Sequence, residues 1–186
     1  MAPRLILSAG EMLSRWRLLQ GLEMARTDAS VTRTDGIDLD GLMMSRIDAW
    51  YVHCLMTMPP SALPLTDIGS SLTMTRTGDG AGMIRLPPDC LRVTEVTMQG
   101  WNRPALIVPE GSPEEETQLS PFTRGKTERP VVIASERLLR IYTPPEGAST
   151  KPGVLAVMLP PQGEYHVTEP MLASIPCVTD SINGDC

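Results

Sequence analysis

Acid–base and nucleophilic chemistry near neutral pH needs an imidazole, a thiolate or a burial-tuned carboxylate held beside a reacting partner. Few groups of this chain meet that need. Its 186 residues include two histidines, His53 and His166, and four cysteines, Cys54, Cys90, Cys177 and Cys186. His53 and Cys54 are adjacent, but neighbours on a helix point about 100° apart, so the spacing does not make a Cys–His pair. His166 falls in a stretch that reads as a loop before the last helix. No Cys-x-x-Cys is present, which argues against a zinc ribbon and a dense disulfide frame, and Cys54, Cys90 and Cys177 read as buried free thiols.

The other candidate motifs reduce to local structure. Gly78-Asp79-Gly80-Ala81-Gly82 lacks the Gly-Lys-Ser/Thr ending with which a phosphate loop holds phosphate and metal, so it reads as a hairpin turn. Asp38 and Asp40 match the start of a calcium loop, but Leu42, Met43 and Ala49 stand where a third oxygen ligand, a glycine and the distal glutamate are required. Helix capping is their simpler role. Glu114, Glu115 and Glu116 form a run that reads as solvated charge in a loop. One enzymatic option is a pair of carboxylates, Asp89 with Glu95, tuned by burial. The reading adopted is a non-enzymatic chain with no catalytic residue, no metal and no cofactor.

The elements that would carry these residues follow from periodicity. Ser8-Ala9-Gly10-Glu11 fits a capping box, and a helix is expected to run from it to about Arg26, with Met12, Trp16, Leu19 and Glu23 on one face. A second helix, capped by Asp38 or Asp40 and stopped by Pro59-Pro60, carries Leu39, Met43, Ile47, Trp50 and Cys54 along one seam. The period then changes to two. Strands are expected at 71–76 and 83–86 as a hairpin, then at 91–98, 105–108, 131–134, 138–143 and 154–159. Thr168-Glu169-Pro170 opens a short helix whose face includes Met171, Ile175, Val178 and Ile182, with Pro176 interrupting it. Helices first and strands after define an α+β fold: an N-terminal helical hairpin (1–58), an antiparallel β-rich domain with extended loops (59–167), and a short C-terminal helix and tail (168–186).

Composition bounds the function class. With 41% hydrophobic and 20% charged residues, the chain is neither a disordered tail nor a rod. Its 18 prolines and 15 glycines imply many punctuating loops. Phenylalanine occurs once while methionine occurs 12 times, which implies a methionine-filled core and adaptable contact surfaces. A formal net charge of −6 argues against gripping nucleic acid through counterion release. The opening MAPRLILSAG is too short in apolar residues for a secretory signal, and no run reaches the roughly 18 apolar residues of a membrane helix, so a cytosolic product without membrane association is expected.

The most specific local sequence is Leu86-Pro87-Pro88-Asp89-Cys90-Leu91-Arg92-Val93, followed by Met98-Gln99-Gly100-Trp101-Asn102-Arg103-Pro104. The prolines end one strand, Asp89 suits a tight turn, and Leu91 and Val93 begin the next strand facing the core. Arg92 and Arg103 are expected to project outward, and Trp101 is a candidate anchor. Together with Trp16, Trp50 and Met43 on the helices, these are the candidate interface residues.

This segment resembles the Leu-Pro-x-Asp-Phe-Leu-Arg … Gly-Trp-x-Arg-Pro pattern of small phage and prophage proteins of gut Bacteroides-type bacteria. Those include ring or adaptor proteins of the head-to-tail connector in crAss-like podoviruses. The order of elements over 8–160 is similar too, with Arg129-Pro130-Val131-Val132 and Leu139-Arg140-Ile141-Tyr142 among its strands, while Cys90 stands in the place of the pattern's Phe. The resemblance implies a virion structural protein, assembled in the host bacterial cytoplasm. It would form a homo-oligomeric, twelvefold ring between portal and tail, touch the portal and other ring or tail proteins, and pass genomic DNA through its lumen as cargo. Arms at 59–70, 109–130 and 143–153 would reach adjacent subunits. The alternative is a small non-enzymatic binding or assembly-chaperone module that meets one partner through its methionine-rich helices.

Overall fold

The structure, a computed structural model, describes residues 3–20, 38–78, 80–145 and 151–176. It is α+β, with four helices and ten strands among the described residues. The chain divides into two compact units, one formed by Met1–Pro64 with Pro160–Cys186 and the other by Leu65–Leu159.

The first unit contains β1 (Leu5–Ser8), α1 (Ala9–Leu19), α2 (Leu39–Thr57), β10 (Glu164–Val167) and α4 (Glu169–Ala173). The capping box at the start of α1 is complete: the Ser8 N–H donates to Glu11 Oε2 at 2.8 Å and the Glu11 N–H donates to Ser8 Oγ at 3.3 Å. The Ser8 N–H, and with it the Ser8 hydroxyl, which donates to the same Oε2 at 2.7 Å, hold the Glu11 carboxyl below its ordinary pKa. Asp38 caps α2 by accepting from the Gly41 N–H at 2.9 Å, and Asp40 in the first turn pairs with Arg17. Of the expected seam of α2, Ile47 and Cys54 are buried, joined by Tyr51 and Leu55, whereas Leu39 at its start is exposed. His53 is exposed beside the buried Cys54, as adjacent positions on a helix require. α1 ends at Leu19, and the expected extension toward Arg26 lies outside the described residues, as do Val178 and Ile182.

Two strands of this unit were not anticipated. β1 pairs antiparallel with β10, Leu5 opposite Val167 and Ser8 opposite Glu164, so His166 is a strand residue and not part of a loop. Neither segment alternates cleanly, and each gains its partner from the far end of the chain. For the same reason the expected boundary at 167/168 is corrected, because the strand before α4 belongs with the N-terminal segment.

The second unit holds two sheets. One has the order β2–β9–β5, from Leu65–Asp67, Gly153–Met158 and Cys90–Thr97; the other has the order β3–β4–β8–β7–β6, from Met74–Arg76, Gly82–Arg85, Leu138–Ile141, Val131–Ser135 and Leu106–Pro109. All pairings are antiparallel except β6–β7, which is parallel. Met74, Ile84, Val132, Leu139 and Ile141 of the larger sheet share one core with Val96, Val154 and Ala156 of the smaller, joined by Ile68, Leu72, Leu86 and Met98. Each valine, leucine, isoleucine or methionine among them contributes roughly 1.5–3 kcal/mol when removed from water. The turn between β3 and β4 is a hairpin closed by Thr77 N–H to Ala81 O at 2.8 Å, with Gly80 at φ 81°.

Three stretches differ from expectation. Residues 59–70, expected as an extended arm, form 3-10 turns and β2, with Ala62 and Leu63 buried in the first unit and Ile68 in the second. At the edge of 143–153, Pro145 is buried and its carbonyl accepts from Arg76 Nη2 at 2.8 Å, and Pro152 is buried, so these residues also lie against their own unit. The glutamate run is helical, forming the first turn of α3 (Pro113–Leu119). Ser112 caps it and Pro113 takes the first helical position, which suits three acidic side chains at a positive helix end.

Candidate assembly surface

Residues 110–130 are an ordered arm on the second unit. Gly111, at φ 78°, turns the chain out of β6, and its N–H donates to Glu115 Oε2 at 2.7 Å. Ser112 Oγ accepts from the Glu115 N–H at 3.3 Å. The central fastener is Gln118, 4% exposed. Its Nε2 donates to Glu114 O at 3.4 Å and to Thr117 Oγ1 at 3.0 Å, while its Oε1 accepts from the Gly125 N–H at 2.7 Å, closing the arm on itself. A Cβ at Gly125 would lie 2.5 Å from Arg129 O and 3.1 Å from Val131 Cγ2, so this close approach requires glycine.

Side chains then tie the arm to β8 and the residues after it. The Arg124 guanidinium sits over the Tyr142 ring at 5.9 Å and donates to Leu119 O at 3.3 Å. Tyr142 donates to Glu115 Oε1 at 3.5 Å, and Arg140 Nη1 lies 3.9 Å from the same oxygen. The Tyr142 hydroxyl and the carboxylates of Glu110 and Glu115 raise the pKa of Arg140, so it stays charged. Thr143 Oγ1 donates to Gly125 O. Braced in this way, the arm leaves Leu119 60% and Phe122 95% exposed. The only phenylalanine of the chain is therefore held out in water on a fixed backbone.

The segment 86–104 builds a second feature of the same unit. Pro87-Pro88 turn the chain between β4 and β5, with Cys90 N–H donating to Pro87 O at 3.1 Å and the Asp89 carbonyl accepting from Leu159 N–H at 2.8 Å. β5 slips register between Cys90 and Arg92 and again between Val93 and Glu95. Such irregularities bend a strand and re-aim its side chains. Beside it lies an open hollow of about 330 Å³, walled by Leu86, Leu91, Val93, Ile107 and Ala134, with Cys90, Arg92 and Glu136 also facing it. Burial, and secondarily the Asp89 charge, push the Cys90 thiol up, which favours its protonated form at neutral pH.

The predicted interface residues divide. Arg103 is exposed, and Arg92 and Met43 are half-buried. Trp101 packs half-buried against the core of the second unit, with its Nε1 buried and without a hydrogen-bond partner among the described residues. Trp16 is 5% exposed, a correction to its expected role at a surface, because the Trp50 ring covers it edge-on at 5.6 Å. Trp50 in turn stands 6.4 Å from Tyr51, and Tyr51 meets Tyr165 edge-on at 5.1 Å. The polar ends of this aromatic row are occupied. Tyr51 Oη donates to His166 O and accepts from His166 N–H, both at 3.1 Å, and Tyr165 donates to Asp48. Burial pushes the Tyr51 phenol up to about 12 and raises that of Tyr165, to which Asp48 adds. Cys54, its thiol raised by burial, lies 3.5 Å from Ser174 Oγ.

Asp89 lies in the turn before β5 and is exposed, while Glu95 lies within the strand and is half-buried, so an extended segment separates them. His166 Nε2 is 3.5 Å from Glu164 Oε2. Among the described residues no cluster of three metal-ligating side chains occurs, and no helix is long and apolar enough to cross a membrane. Sequence reasoning missed Phe122, Gln118 and the tyrosine row. Phe122 was visible as the lone phenylalanine, placed beside a proline in the longest polar stretch. No family model matches the chain, and no curated protein matches it.

Proposed function

We propose that this chain is an architectural subunit of a virion, a component of the ring that joins portal to tail in a head-to-tail connector and surrounds the passing genome. The observation that carries the reading is Phe122, 95% exposed on an arm whose backbone and side chains are tied down. Ordering that segment costs conformational entropy, and the phenyl ring recovers nothing for it until another surface removes it from water. A subunit completed by its neighbours resolves this imbalance. The resemblance of Leu86–Pro104 to connector proteins supplies the kind of assembly.

Mass spectrometry of purified virions with copy number, joined to cryo-electron microscopy of the connector, tests the reading. The expected result is this chain in multiple equivalent copies around the channel. A protein that is monomeric at every concentration and missing from particles would overturn it. Phe122→Ser should leave the melting temperature of the isolated chain unchanged while reducing its incorporation into particles.

A further inference from the structure

We propose that the arm and the hollow are two halves of one contact, so that Phe122 of one copy seats in the Leu86–Leu91–Val93–Ile107–Ala134 hollow of the next copy; this deepens the connector-ring reading and rests on it. The two features suit each other in shape and chemistry. One is a single aromatic ring on a braced projection, and the other is an open apolar recess of about 330 Å³ on the same unit. The lining of the recess includes no residue of the arm tip, so knob and socket occupy different surfaces of one chain. A contact between unlike surfaces of identical chains is head-to-tail, and it closes into a ring when the rotation permits. The neighbouring hollow along Thr77, Met83, Arg140 and Tyr142 is a poorer socket, since Leu119 of the arm itself forms part of its wall.

Charge points to a second copy as the occupant. Beyond Phe122 the exposed arm carries Lys126, Glu128 and Arg129, in the order positive, negative, positive. The hollow presents Glu136 and Arg92 on its lining, one acid and one base. Glu136 and Lys126 form no ion pair among the described residues, so each is available to the other across an interface. Cys90 on the socket wall supplies a natural reporter.

Phe122→Cys, assembled into particles and oxidised, should give intermolecular disulfides to Cys90, read as a ladder on non-reducing gels and mapped by mass spectrometry. Cys90→Ser in the same background should remove the ladder. Phe122→Ser should weaken self-association by about tenfold or more, the effect of removing one buried aromatic anchor. Intact rings in which residue 122 links to a different cysteine, to another virion protein or to nothing would overturn this contact while the ring reading stands. A wild-type chain that forms no ring would remove both. If Phe122→Cys itself blocks assembly, a charge swap decides: Glu136→Lys should lower ring yield and added Lys126→Glu should restore it, and a missing restoration overturns the contact.

Discussion

The two units solve the problem of a small core in different ways. In the first, rings are stacked edge to face and their polar ends are bonded: Trp16 on Trp50, Tyr51 on Tyr165, the Tyr51 hydroxyl on the backbone of His166, the Tyr165 hydroxyl on Asp48. In the second, aliphatic side chains and methionine from two sheets fill the space with no directional bonds among them. Directional contacts fix one arrangement and are costly to disturb, whereas an aliphatic core tolerates a change of shape at constant volume. The difference also explains the use of Tyr51. β10 has β1 on one side only, and Tyr51 takes both the N–H and the C=O of His166, as a third strand would.

Substitutions of graded size test this contrast. Trp16→Ala should have the largest effect, about 3–5 kcal/mol, because it opens a cavity and removes the edge-on partner of Trp50. Urea unfolding followed by tryptophan fluorescence would measure it, and a loss below about 1 kcal/mol would end the claim that the aromatic row organises the first unit. In the second unit, Gly69→Ala should cost about 1–3 kcal/mol, since the new Cβ would collide with the backbone of Pro152, Gly153 and Val154, where no rotamer offers relief. Calorimetry would read this as a lowered melting temperature.

Tyr51→Phe should cost about 1–3 kcal/mol at neutral pH by stranding two backbone groups of β10. It should also change the alkaline limb of the stability profile. Because burial raises the folded-state pKa of Tyr51 from 10.0 to about 12, its contribution is whole below pH 10 and is lost as pH climbs toward 12. The variant should therefore lose stability less steeply over that window, with Tyr165 still contributing a slope of the same sign. Smallest of all, Leu139→Met in the aliphatic core should cost less than about 1.5 kcal/mol. A larger penalty there than for Tyr51→Phe would reverse the contrast between the units.

Much of the fold was legible because it is locally encoded. The Ser8–Glu11 box, the Asp38 cap, the β3–β4 hairpin and most later strands depend on neighbours a few residues apart. What escaped depends on distance. The His166 stretch reads as loop and residues 5–8 show no element in the sequence, since Leu5 finds Val167 only in the folded chain. Ile47 and Cys54 of the expected α2 seam are buried, but Tyr51 is buried in place of Trp50, because its hydroxyl meets the His166 backbone and its ring meets Tyr165. α3 is too short to show a period, and the caps at Ser112 and Pro113 were its only local sign. Trp16 and Trp50, expected at an interface, pack against each other within the first unit. Of the candidate assembly surface, the segment 86–104 stood out in the sequence, and Phe122 did not.

The parallel pairing of β6 with β7 sets a lower limit on what lies between them. An antiparallel neighbour can be reached through a two-residue turn, but a chain that must re-enter a sheet in the same direction has to travel back the full length of the strand, which takes a dozen residues or more. The projection that carries Phe122 is thus the return path of a crossover. Deleting the whole connection would leave β6 with no route to its parallel place beside β7 at the edge of the sheet.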